Sequence, residues 1–181
     1  MNKQDLRVVK TLDSIENALL KLLEIKPLDR ITVTELAQTA MINKGTFYLH
    51  YVDIYDLYRY TLHKYIRKPI EEGDFFSDFF DDPELFLTEL SAALDKNIPI
   101  IDKITRNRER PIDYNYLIEN IKAKIYETGR IQQNITNDMK ITMIFGSYTI
   151  LHNEYQEGYT EQMQELLAEM TKGLFPRTEN A

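Results

Sequence analysis

Apolar residues recur at spacings of three and four along almost the whole chain, and that period commits it to helices packed on helices. Val8, Leu12, Ile15, Leu19 and Leu22 make the first stripe. Ile54, Leu57, Tyr58, Thr61, Leu62 and Tyr65 make another, and Tyr114, Leu117, Ile118, Ile121 and Ile125 a third. No segment alternates with the period of two that a half-buried strand requires. Punctuation falls where helices should stop and start. Lys26-Pro27 ends the first stripe, and Lys68-Pro69 with Gly73 ends the helix that begins after Asp53. Asp82-Pro83-Glu84 opens a helix with a cap, a first-turn proline and an acid at the positive end of the dipole. Asn97-Ile98-Pro99 interrupts it, Gly129 closes the third stripe, and Gly158 and Gly173 stop two later helices, the longer running from about Asn137 to Gln156. The expectation is an all-α fold of about nine helices. It has an N-terminal three-helix helix-turn-helix domain over residues 1–52 and a C-terminal helical bundle over 53–181, with the helix at 53–68 connecting them.

A chain of 181 residues, 43% hydrophobic, can fill one sizeable core or a small module plus a larger domain. It has no cysteine, which excludes disulfides, thiolate metal sites and cysteine nucleophiles. No run approaches 18 uninterrupted apolar residues, and MNKQDLRVVK lacks a secretory apolar stretch, so a cytoplasmic protein without membrane contact is expected. The net charge of −7 looks wrong for a nucleic-acid binder, but it is unevenly spread. Residues 1–68 carry 11 Lys+Arg against 8 Asp+Glu, and residues 69–181 carry 11 against 21. A basic end on an acidic body is steered toward DNA by that end.

Residues 32–51 concentrate the functional signal. Thr32-Val33-Thr34-Glu35 has the form of a capping box, with Thr32 capping and Glu35 reaching back. Asn43 is a good cap for a second short helix, Lys44 to about Tyr51. Between them stand only Ala40-Met41-Ile42, and two short helices joined by so short a turn are a helix-turn-helix. The second helix of that motif enters the major groove with its N-terminal residues toward base edges. Lys44 supplies charge there, Gly45 lets backbone approach phosphate, and Thr46 can hydrogen-bond or offer its methyl to thymine. Tyr48 and His50 carry polar tips that can reach phosphate, whereas Phe47 and Tyr51 anchor the helix from inside. With Thr32, Thr34, Asn43 and Leu49 these residues form the candidate DNA-binding set.

The segment 31–57, ITVTELAQTAMINKGTFYLHYVDIYDL, resembles the DNA-binding signature of the TetR family of transcription regulators, roughly T-V-x-x-I-A-x-x-A-G-V-S-x-G-T-F-Y-x-H-F-x-x-K-x-x-L. Thr32, Val33, Ala37, Ala40, Asn43, Gly45, Thr46, Phe47, Tyr48, His50, Tyr51 and Leu57 fall on it directly or conservatively. The resemblance covers about residues 8–66; beyond that only length and helical character agree. It implies that the first three helices form a DNA-reading head and that the fourth connects it to the body. It further implies that the last two long helices pair with a twin, and that the body binds a small molecule whose arrival changes the spacing of the heads. Three positions depart from the pattern: Met41 replaces the turn glycine, Leu49 stands where an aromatic or basic residue is common, and Ile54 stands where a phosphate-touching lysine is common.

The expected function is therefore a ligand-responsive regulator, a repressor by family habit, binding an inverted-repeat double-stranded DNA operator as a homodimer. The alternative is a TetR-like co-regulator that works through protein partners with weakened DNA binding. Ile144, Gly146, Ser147, Tyr148, Leu151, Met163, Leu166, Leu167 and Met170 are the candidate dimer surface; the last four would leave an apolar stripe bare in a monomer. Leu90, Ile104, Leu117, Ile121 and Tyr148 are candidate walls of a pocket for an unidentified effector in the C-terminal domain. Phe75-Phe76 and Phe79-Phe80 fit core packing better than a ligand cage. Arg106, Arg108 and Arg110, diluted by Glu109 and Asp113, fit a solvated loop. No two of the three histidines share a helix face at ligand spacing, so no metal and no cofactor is expected. Neither a phosphate-cradling glycine loop nor a Ser-His-Asp arrangement is present, so no enzymatic activity is expected.

Overall fold

The computed structural model describes residues 3–105, 114–155 and 160–176. Every regular element among them is helical: α1 (Lys3–Leu23), α2 (Val33–Thr39), α3 (Lys44–Tyr48), α4 (Ile54–Leu62), α5 (Lys68–Glu71), α6 (Asp78–Asp81), α7 (Pro83–Asp95), α8 (Ile98–Thr105), α9 (Tyr114–Glu127), α10 (Ile135–Tyr155) and α11 (Thr160–Leu174). A π-helical segment, His63–Arg67, lies between α4 and α5 in the chain, and α6 is a single turn. The described residues form eleven α-helices, several of them one or two turns long, against the nine or so that the periodicity predicts. Packing divides the chain into two compact units, Met1–Ile66 with Asn97–Ile112 and Arg67–Lys96 with Asp113–Ala181.

In the first unit, α1 packs on α2, α4 and α8, and α2 packs on α3. Ile15, Leu19, Leu36, Phe47 and Leu57 are wholly buried at its centre. The α1 stripe enters the core only from Ile15 onward; Val8, at its start, is exposed. Tyr58 donates its hydroxyl hydrogen to the Ile104 carbonyl at 3.3 Å, tying α8 to α4. Glu16 is buried on α1, where it accepts from Lys64 Nζ at 2.7 Å and from the Tyr65 hydroxyl at 3.1 Å. A buried carboxylate without such donors would carry a large desolvation cost.

Pro69 does not end its helix, contrary to expectation. Proline lacks an N–H and its ring crowds the carbonyl four residues back, here that of Tyr65. The backbone widens into the π segment immediately before it, a recognised way to relieve a helix locally. The carbonyl that loses its helical partner is satisfied from outside: Asn97 Nδ2 donates to the Tyr65 oxygen at 3.2 Å. The helix then runs on to Glu71 and stops before Gly73.

In the second unit, α7 packs on α11, α10 on α9 and α11, and α5 on α7 and α9. Its core is phenylalanine-rich. Phe79 lies 4.9 Å from Phe80, 5.4 Å from Phe86 and 5.5 Å from Phe175 between ring centroids, with Phe86 also wholly buried. The Phe75–Phe80 cluster therefore packs as core.

Two sets of predicted residues are not where periodicity alone puts them. Met163 and Leu167 are buried against the chain's own helices, as is Ile144, so the α11 stripe is filled from within. Leu166 remains exposed, while Met170, Gly146, Ser147 and Tyr148 are half-buried. Of the proposed effector wall, Leu90 and Ile121 are buried core, Leu117 is half-buried, and Ile104 belongs to the first unit. The side chain of Leu151, and Arg106, Arg108, Arg110 and Gly158, lie outside the described residues.

Candidate nucleic-acid interface

The segment from Thr32 to Asp56 is built by four local capping devices. The first is half of the predicted box: Thr32 Oγ1 accepts from the Glu35 N–H at 3.2 Å. Glu35 does not complete it, because its carboxylate accepts instead from Lys26 Nζ at 2.6 Å. That pair ties the end of α1 to α2, a link across nine residues that no capping pattern reveals.

The second device ends α2. The Ile42 N–H donates to the Ala37 carbonyl at 2.9 Å and the Met41 N–H to the Gln38 carbonyl at 3.1 Å, the paired bonds of a Schellman motif. Such a motif needs a left-handed residue at its turn, and Met41 has φ +57°. Met41 thus takes the strained place that usually falls to glycine. Its side chain is 93% exposed, so no packing offsets the strain.

The third starts α3. Asn43 Oδ1 accepts both the Thr46 N–H at 2.7 Å and the Thr46 hydroxyl at 3.0 Å. A Cβ built on Gly45 would stand 3.2 Å from that same oxygen, so a larger residue would press the cap back by a few tenths of an ångström. The capping role of Asn43 is as its sequence position predicts, while Gly45 and Thr46, expected to serve DNA directly, also take part in that cap. The fourth starts α4: Asp53 Oδ1 accepts from the Asp56 N–H at 2.7 Å, and Asp56 Oδ2 accepts from the Val52 N–H at 3.0 Å. The Asp53-x-x-Asp56 spacing carries that reciprocal cap in the sequence, where only the Asp53 half is anticipated.

With its ends fixed, α3 divides cleanly. Phe47 and Tyr51 point inward, ring centroids 5.8 Å apart, and Tyr51 meets Tyr60 of α4 at 5.7 Å. Thr32, Thr34, Asn43, Lys44, Gly45, Tyr48 and Leu49 are exposed; Thr46 and His50 are half-buried. Leu49 is 82% exposed, and the neighbouring surface adds Val52 and Tyr55, which sequence reasoning did not single out. Ile54 is only 6% exposed, so the position where a phosphate-touching lysine is common serves packing here.

Charge on this surface is sparse. Lys26, Lys64 and Lys103 pair with Glu35, Glu16 and Glu24, and Arg59 pairs with Asp56. Lys44 is exposed, and no acidic side chain among the described residues lies in ion-pair range of it. Beneath the helix, the Tyr51 hydroxyl is buried with no hydrogen-bond partner. Burial first, then the charge of Glu16 and the nearby Tyr60 and Asp56, push its pKa well above the usual tyrosine value.

In the second unit, two open clefts are lined by other residues than those predicted. One of about 580 Å³ runs beside Phe80, Pro83, Lys172 and Phe175; one of about 420 Å³ lies beside Glu119, Lys122, Tyr126 and Asp138. Among the described residues, no group of three or more His, Asp or Glu could hold a metal ion. No described helix is long and apolar enough to cross a membrane.

No protein-family model matches the chain, and no curated protein matches it. Among solved structures, a chain named dihydroxyacetone kinase operon activator DhaS is similar to it, with a TM-score of 0.50 and 16% sequence identity. The likeness covers 91% of this chain and 93% of that one. At that identity it shows the fold alone.

Proposed function

We propose that this chain is a transcription regulator that binds an inverted repeat in double-stranded DNA as a homodimer, with one α3 in the major groove of each half-site. The observation that carries this is the division of α3. Phe47, with Tyr51 just beyond the helix end, locks it to the core, and Lys44, Gly45, Tyr48 and Leu49 are left exposed. A five-residue helix capped at its start and preceded by a left-handed turn is stiff enough to present side chains in register. The fold shared with a protein named an operon activator supports regulation as the class of function. Catalysis has no part in this reading. Repression is what the sequence resemblance implies; a reporter driven from the bound site, with and without the protein, gives the sign of regulation.

For the dimer, the support shifts from α11 to the exposed face of α10. Ile135, Met139 and Met143 recur there every four residues, with Gly146 and Ser147 one turn on and Leu166 exposed on α11. A glycine on this face permits close approach by a second copy. Effector binding belongs to the second unit, where both clefts among the described residues are open to it.

A second reading has its own observation. Met41, Leu49 and Val52 put exposed apolar surface where cations would strengthen DNA binding, and such surface suits a protein partner. Selection from random duplex DNA by the full chain separates the two. Enrichment of an inverted repeat supports the DNA reader, and no enrichment leaves the partner-protein reading.

A further inference from the structure

We infer that Leu49 is a methyl reader, which makes a thymine methyl under each α3 a fixed feature of the DNA site. The inference rests on the DNA-reading function proposed above and names what one side chain in it recognises. Along α3 and its C-terminal end, most side chains are already committed. Phe47 and Tyr51 are core, and the Thr46 hydroxyl hydrogen is donated to Asn43. His50 is half-buried, and Gly45 has no side chain. Beyond the opening Lys44, that leaves Tyr48 and Leu49 presented, the latter 82% exposed.

Leucine has neither donor nor acceptor, so it gains nothing from a phosphate and would strip water from the polar edges of guanine, adenine or cytosine without return. The one major-groove feature that rewards an aliphatic side chain is the C5-methyl of thymine. Gly45, one turn earlier on the same face, places no bulk that would hold Leu49 away from the groove floor. The expected gain is that of burying one methyl-sized group, about fourfold in affinity per half-site.

The test changes the DNA rather than the protein, so it does not depend on a variant folding. A site is first selected from random duplex DNA by the full chain, and each thymine in it is replaced in turn by deoxyuridine, which differs only by the methyl. One symmetric position should lose about fourfold per half-site with the natural protein. With Leu49→Ala, checked for an unchanged helical spectrum, the same replacement should cost less than twofold. Equal losses for both proteins would assign the methyl to another side chain and overturn the inference. So would a selected site without a fixed thymine, or one indifferent to uracil at every position; in either case the DNA-reading function stands. Failure to select any sequence would instead remove that function, and the inference with it.

Discussion

Replacing Tyr51 by phenylalanine should make the protein more stable, an unusual expectation for a core substitution. The Tyr51 ring is 6% exposed and packs against Phe47 and Tyr60. Phenylalanine keeps that ring and those contacts. What it removes is a buried hydroxyl with no partner. A polar group buried without a hydrogen bond costs about 1–3 kcal/mol of desolvation, so Tyr51→Phe should recover about that amount. For a chain of this size each kcal/mol moves the melting temperature by about 2–4 °C. Urea unfolding should show a higher midpoint with an unchanged slope. The pH dependence gives a second check. The folded-state pKa of Tyr51 is raised. The unfolded chain therefore ionises this group first, once pH passes the ordinary tyrosine value of about 10. Its contribution is fully present below that pH and is lost as pH rises above it. The advantage of Tyr51→Phe should accordingly widen above pH 10. A variant less stable than the natural protein would refute the reasoning and mean that the hydroxyl has a partner, and a pH profile parallel to the natural one through that range would mean that the hydroxyl is solvated.

Other substitutions follow from the same geometry. Met41→Gly should stabilise by about 0.5 kcal/mol: relief of the left-handed strain outweighs the extra entropy of glycine in the unfolded chain. An unchanged or lower urea midpoint would count against the strain. Ile54→Lys should destabilise by roughly 2–4 kcal/mol, because the charge enters the core rather than reaching DNA; near-natural stability would mean the position is open to solvent. Met143→Glu should leave a monomer in light scattering at micromolar concentration with its helical content intact, whereas a persisting dimer would move the interface off this face of α10.

The fold was legible because helical periodicity and caps are local. Thr32, Asn43, Asp53 and Asp82 all cap helices where their spacing says they should. The left-handed turn at Met41 was legible only through the family resemblance, whose pattern has a glycine at that place. What the sequence concealed depends on partners far along the chain. Glu35 meets Lys26 instead of closing its own box, and Asn97 rescues the Tyr65 carbonyl that Pro69 releases, so the proline does not break the helix. The α11 stripe misled for a related reason. An amphipathic face announces that something will cover it, and here α7 and α10 of the same chain cover Met163 and Leu167. At the candidate site, the exposed residues of α3 were legible from their offset to Phe47. The bond from the Thr46 hydroxyl to the Asn43 cap and the packing duty of Ile54 needed coordinates.

The claim that the surface of α3 reads DNA is tested most directly by the salt dependence of binding to the selected inverted repeat. Lys44 is the exposed cation at the start of that helix. If it neutralises a phosphate, Lys44→Ala should weaken binding to every duplex and make the logarithmic salt slope shallower by about 0.9 per subunit. Identical slopes for the natural protein and Lys44→Ala, with both folded and bound to the same site, would contradict the placement of α3 against DNA.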